Sequence, residues 1–249
     1  MSCSDQPFEA GIFLIDKPIG PTSFAMVSRV RRQLKIKKVG HAGTLDPFAS
    51  GLLILCAGRP ATRMISGIME GTKEYLATLS LGIETTTLDP EGDIVSRQPV
   101  SPLSPAQIEA CLAGFRGEQQ QVPPMYSALK HKGKPLYTYA RRGVEIERAP
   151  RLVMIEALER TGPETELSGT GAELTIRVVC SKGTYIRTLA ADIGRTLGCG
   201  AYLTALRRTR SGFFSVDQAL SGDDLLLPDG RERLLAGALS VADVGNLLQ

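Results

Sequence analysis

The 249-residue chain holds two histidines and five cysteines, with no Cys-x-x-Cys pair. Without clustered Cys and His a zinc site is not expected. An odd number of scattered cysteines points to reduced thiols in a cytoplasm rather than to a disulfide framework. No apolar run approaches the roughly 20 residues of a membrane span, and from Met1-Ser2-Cys3-Ser4-Asp5-Gln6 a signal peptide is not expected. A Walker loop, a Gly-x-Gly-x-x-Gly after a strand, a Gly-x-Ser-x-Gly elbow and a carboxylate cluster suited to two metals are all missing. The composition, 43% apolar and 22% charged, is that of an ordinary soluble protein long enough for one large domain or two small ones.

Acidic residues are also missing where basic ones gather. Between Asp16 and Asp46 lie seven Lys/Arg and no acid, and between Glu118 and Glu145 five and none. From Glu173 to Arg210 there are seven, with Asp192 as the only acid. The three windows hold 19 of the 29 basic residues and one of the 26 acids. Such segregation suits a phosphate backbone better than a small neutral substrate, with solvated helix faces as the alternative.

What the chain does have is one dense stretch, Val39-Gly40-His41-Ala42-Gly43-Thr44-Leu45-Asp46-Pro47-Phe48-Ala49-Ser50-Gly51-Leu52. Pro47 biases Asp46 toward an extended backbone, and the apolar run Leu52-Leu53-Ile54-Leu55 follows. A carboxylate on a stiff loop beside apolar surface is a candidate nucleophile or base; a capping or turn aspartate is the other reading.

Around this loop the patterns predict a strand at 11–18, stopped by Pro18, and a helix from Ser23 to Leu34 with Val27, Val30 and Leu34 on one face. A helix is expected from Ala61 to Met69 and a half-buried strand from Lys73 to Leu81, with Tyr75 on its inner face. Pro90 to Asp93 marks a turn between strands. Ser104-Pro105-Ala106-Gln107 starts a helix that Gly114 closes, and a short helix follows at 135–142. Strands are expected at Arg151–Arg160 and Glu173–Cys180. A helix after Thr184 carries a stripe of Ile186, Leu189, Ala190, Ile193 and Leu197. Arg187 sits in its first turn, where the helix dipole disfavours a cation, so it needs a carboxylate or phosphate partner; a plain salt bridge satisfies that as well. Character changes near residue 220, and Arg231 to Leu248 reads as an amphipathic helix. The residues by themselves suit a cofactor-free reaction on a nucleic acid, with Asp46 as nucleophile or base.

The loop Gly40 to Gly51 resembles the signature of the bacterial tRNA pseudouridine-55 synthases, the TruB-type family. So do Asp16-Lys17-Pro18-Ile19-Gly20-Pro21-Thr22-Ser23, Lys73-Glu74-Tyr75, Pro124-Met125-Tyr126-Ser127-Ala128-Leu129-Lys130 and Cys180-Ser181-Lys182-Gly183-Thr184-Tyr185-Ile186-Arg187, in the family's order. The resemblance implies isomerisation of a uridine in the T loop of tRNA without cofactor or metal. It makes Asp46 the essential carboxylate, Arg187 its partner, Tyr75 a stacking platform for the target base and Tyr185 part of the pocket. Leu206 becomes an apolar wall, His41 a holder of the extruded nucleotide, and Lys17 a support for the loop or a phosphate. The implied fold is α/β (α+β), a mostly antiparallel mixed sheet flanked by helices with an RNA-binding cleft. Residues 1–220 would be catalytic, and 221–249 a short helical extension too small for the PUA-type domain many members carry. Where the family often has Thr-Asp-Thr, this chain has Thr85-Thr86-Thr87, with Asp89 retained. A cytoplasmic monomer acting on the tRNA T arm is expected, with no membrane or protein partner implied. Rival readings are a pseudouridine synthase of another RNA, a non-catalytic tRNA-binding or chaperone protein, and a metal-dependent nuclease.

Overall fold

A computed structural model describes residues 8–163 and 165–249; the N-terminal hexapeptide and Cys3 lie outside them. Along the chain run β1 (Gly11–Lys17), α1 (Ser23–Leu34), β2 (Val39–His41), β3 (Ser50–Ala57), α2 (Arg59–Thr62), α3 (Ile65–Glu70), β4 (Lys73–Leu81), β5 (Ile83–Thr85), β6 (Ile94–Arg97), α4 (Pro105–Ala113) and β7 (Gly117–Gln121). Then follow β8 (Lys130–His131), β9 (Lys134–Pro135), α5 (Leu136–Ala140), β10 (Arg151–Arg160), β11 (Glu173–Cys180), α6 (Ile186–Thr196), β12 (Ala201–Ser211), β13 (Phe214–Ser215), β14 (Leu220–Ser221), α7 (Gly230–Ala236) and α8 (Val241–Leu247). Two compact units result: residues up to 74 with 207 to 249, and residues 75–206. The chain thus divides inside β4 and β12, a different place from the composition change near 220.

In the first unit the strands run β14-β1-β3-β12, with β2 on β3 and β13 on β12. β1 and β3 are antiparallel from Gly11↔Ala57 to Lys17↔Gly51, whereas β3 and β12 are parallel. Strands with neighbours on both edges and cover on both faces lose the alternating pattern, and every residue of β3 after Ser50 is buried. Gly51 is where β12 comes closest: at φ +101°, an added Cβ would lie 2.3 Å from the Arg208 carbonyl oxygen. A core of Ile12, Leu14, Leu52, Ile54, Cys56, Ile68, Phe214 and Val244 lies against this sheet. Burial pushes the Cys56 thiol up to about 12, so it is no nucleophile at neutral pH. The C-terminal segment seats itself on the core through Val244, Leu239 and Val241, and Leu239 bridges to Ile12.

In the second unit the order is β4-β11-β10-β7, with β5–β6 and β8–β9 as separate two-stranded ribbons. β10 pairs antiparallel with both β7 and β11. The sheet is therefore mostly antiparallel, with helices beside it, as expected. Tyr75, Ala77, Leu79 and Leu81 share the buried face of β4. α4 starts on a complete capping box between Ser104 and Gln107.

Three helix expectations change. The stretch 61–69 forms two short helices, because Pro60 starts one at Arg59 and the chain re-enters at Ile65. The segment 231–248 also forms two, broken at Gly237 and restarted by Ser240, whose hydroxyl accepts from the Asp243 N–H. The short helix placed at 135–142 is narrower, Leu136–Ala140.

Candidate active site

α1 begins after Thr22, whose hydroxyl accepts from the Ala25 N–H. That leaves Ser23 free of capping duty, on the helix's buried stripe with Met26, Val27, Val30 and Leu34. Its hydroxyl donates to the Leu45 carbonyl (2.9 Å) and accepts from the Leu45 N–H (2.8 Å). Lys17, fully buried at the end of β1, donates to the carbonyls of Pro18 (2.8 Å), Pro21 (2.9 Å) and Pro47 (3.4 Å). The Gly20 N–H also donates to Pro47 O (2.8 Å). Arg208, only 2% exposed, donates to Leu52 O (2.7 Å), Gly43 O (3.2 Å) and Thr44 O (3.5 Å). The Asp46 carbonyl accepts from the Ala49 N–H at 3.1 Å. Five consecutive carbonyls, 43 to 47, are thus hydrogen-bonded, so the backbone carrying Asp46 has little freedom left. Asp46 is half-buried and opens a turn; no helix follows, so it caps none.

Ser23→Ala removes both bonds to Leu45, whose buried N–H and C=O then lose their partner at a cost of about 1–3 kcal/mol. We expect kcat to fall about tenfold with KM little changed, since small misplacement of a reacting group is costly. Steady-state kinetics check this; an unchanged kcat would show that the pins are irrelevant to turnover.

His41 ends β2, half-buried, and its Nδ1 is buried without a hydrogen-bond partner. Burial, and then the Arg208 charge, lower its pKa below the ordinary 6.5, opposed by the Gly43 backbone. The folded state therefore binds fewer protons at this ring than the unfolded one. Its contribution to stability is complete above pH 6.5 and is lost as pH falls through the lower folded-state value. Urea midpoints of the wild type should drop more steeply from pH 7.5 to 5.5 than those of His41→Gln. Parallel curves would contradict the assignment.

The other site residues lie in the second unit. Arg187, on the first turn of α6 and 5% exposed, donates to Asp89 Oδ2 (2.9 Å), Thr87 O (2.9 Å) and Tyr126 O (2.6 Å). Asp89 is thus one carboxylate partner of the kind its position called for. Asp89, 3% exposed, is held in turn by the Thr87 hydroxyl and the Glu91 N–H (3.0 Å). Gln121 grips the backbone of Tyr185 at two points, accepting from its N–H (2.7 Å) and donating to its carbonyl (3.1 Å). Tyr75 and Leu206 are nearly buried, at 9% and 8% exposure. Lys17, His41 and Asp46 therefore meet in one unit, and Tyr75, Tyr185, Arg187 and Leu206 belong to the other.

Sequence reading missed Ser23 and Arg208 as loop pins, and Gln121 altogether. Ser23 was detectable as a polar residue on an apolar helical stripe. Arg208 was detectable as a charge two residues after Leu206 on the inner face of a strand.

The architecture is that of the pseudouridine synthases: the chain superimposes on a chain of a Cbf5–Nop10–Gar1 complex with a TM-score of 0.67 at 30% identity, over 93% of this chain and 60% of that one. The model for the TruB family pseudouridylate synthase N-terminal domain matches residues 31–186, and that for the tRNA pseudouridylate synthase B C-terminal domain matches 187–234. The chain is 62% identical to tRNA pseudouridine synthase B of Desulfotalea psychrophila, over 98% of its own length and 99% of the relative's. With the enzyme of that name from Bordetella avium it shares 50%, over 93% of each. This chain belongs to the TruB family of pseudouridylate synthases.

Proposed function

We propose that the chain is a tRNA pseudouridine synthase that isomerises a uridine in the T loop. The observation carrying this reading is the loop of residues 43–47, pinned carbonyl by carbonyl around one aspartate, in a chain of the TruB family. In the reaction the N1–C1′ bond breaks, the uracil turns while bound, and C5 bonds to C1′. A proton leaves C5 and one is gained at N1, so the product is an isomer and the balance needs no redox partner.

Asp46 supplies the essential carboxylate, as nucleophile toward sugar or base or as a base toward a ribose proton. Arg187 pairs with Asp46 to keep it ionised and oriented, while Asp89 orients Arg187. Tyr75 stacks on the target base, Tyr185 lines the pocket, and Leu206 keeps water from the detached uracil. His41, largely neutral at physiological pH, holds the nucleotide out of its stack. Lys17 acts through the loop it supports. Residues 1–220 carry catalysis in a basic cleft, and 221–249 serve as a helical extension. The protein works as a monomer in the cytoplasm on the T arm of tRNA.

Incubation of an unmodified tRNA transcript with the purified protein and a chelator, followed by nucleoside chromatography, tests this. The expected result is pseudouridine appearing as uridine disappears, with the RNA chain intact. RNA cleavage that the chelator stops, or binding without any pseudouridine, would overturn it.

A further inference from the structure

We propose that the concave basic face at the C-terminal end of α1 is a second docking site for the RNA phosphate backbone, distinct in the chain from the Asp46 loop. The inference rests on the proposed function for the identity of the RNA, and on the following geometry for the site itself. Arg31, Arg32, Lys35, Ile36 and Lys37 line a concavity of about 540 Å³. Arg31 is fixed in place: its Nη2 donates to Val39 O (3.0 Å) and its guanidinium lies 5.4 Å over the Phe24 ring. Its Nε is buried and has no hydrogen-bond partner, so the part of the side chain that faces the concavity is the remainder of the guanidinium.

A structural explanation accounts for part of the cluster. Arg31 and Arg32 occupy the last turn of α1, where cations complement the helix dipole. Lys35 and Lys37 lie beyond that turn. Lys35 also takes a left-handed conformation, φ 54°, where glycine or asparagine would fit with less strain.

In the same unit, three arginines meet acids: Arg29 meets Asp223, Arg207 meets Asp16 and Arg233 meets Asp229. Among the described residues Arg32, Lys35 and Lys37 form no ion pair, and no acid occurs between Asp16 and Asp46. Uncompensated like charges around a hollow fit a polyanion. Lys37 lies nine residues before Asp46, and such a segment spans at most about 30 Å. A phosphate held there belongs to the RNA that presents its uridine to Asp46.

The test compares the wild type with two triple variants, using a tRNA transcript as probe. One, Arg32→Gln/Lys35→Asn/Lys37→Gln, removes charge; the other, Arg32→Lys/Lys35→Arg/Lys37→Arg, retains it. Binding is measured across salt concentrations, and folding of each variant is checked by circular dichroism. We expect the charge-removing variant to bind about tenfold more weakly at low salt, with the slope of log K against log salt shallower by about 2. The charge-retaining variant should match the wild type. An unchanged slope in the folded charge-removing variant, or equal loss in both variants, would overturn the proposal. If the wild type makes no pseudouridine while the slope still depends on these residues, the proposed function fails and the docking site stands.

Discussion

Replacing Asp46 by asparagine removes the product and leaves RNA binding in place. The amide has nearly the shape of the carboxylate, but it has neither the negative charge nor the basicity that attack or proton removal requires. The bonds that pin residues 43–47 run through backbone carbonyls to Lys17, Gly20, Ser23, Ala49 and Arg208, and the substitution leaves all of those groups intact. The loop should therefore hold its course. We expect pseudouridine formation to fall by roughly 10⁴-fold or more, a loss typical of removing a group on which the chemistry depends. The dissociation constant for tRNA should stay within about threefold, because phosphate contacts dominate affinity. Filter binding and nucleoside chromatography on the same preparation read both quantities. Normal turnover would rule out the role given to Asp46, and joint loss of binding and product would make it a structural residue.

Asp89→Ala should be the most damaging change in the second unit. Asp89 and Arg187 are both nearly buried, at 4% and 5% side-chain exposure, with Nη1 to Oδ2 at 2.9 Å. Removing one member of a buried pair strands the other's charge, which costs about 3–5 kcal/mol. The Thr87 hydroxyl and the Glu91 N–H lose their acceptor as well. Arg187 also holds the carbonyls of Thr87 and Tyr126, so its displacement loosens two loops. Denaturant titration should show the loss of stability, and turnover should fall more than tRNA affinity does. Arg187→Lys is expected to be poorly tolerated too, because an ammonium does not present the guanidinium's planar set of donors to an acid and two carbonyls. A stability change below about 1 kcal/mol for Asp89→Ala would show that the pair is solvated and replaceable.

Much of this arrangement can be read from the residues, for identifiable reasons. β4, β10 and β11 alternate clearly, and α1 and α4 carry both an apolar stripe and a capping residue, so local chemistry sets their limits. The position of Arg187 at a helix start announced a missing anion, and Asp89 answers it. The helices at 61–69 and 231–248 were harder to place, because their interruptions depend on short breaks within otherwise helical composition. Long-range partnerships escaped altogether. Arg208 stands in Arg207-Arg208-Thr209-Arg210 and reads as exposed charge. Folded, Arg207 pairs with Asp16, 191 residues away, while Arg208 turns inward to carbonyls near residue 44. Nothing local distinguishes the two arginines except strand alternation, which places 208 on the same side as Leu206.

The most direct test of the whole account is a position-resolved map of pseudouridine in a tRNA transcript treated with the wild-type protein. One converted uridine, located in the T loop and absent after treatment with the Asp46→Asn variant, is the predicted result. An unmodified T loop, or conversion that persists without the Asp46 carboxylate, would contradict it.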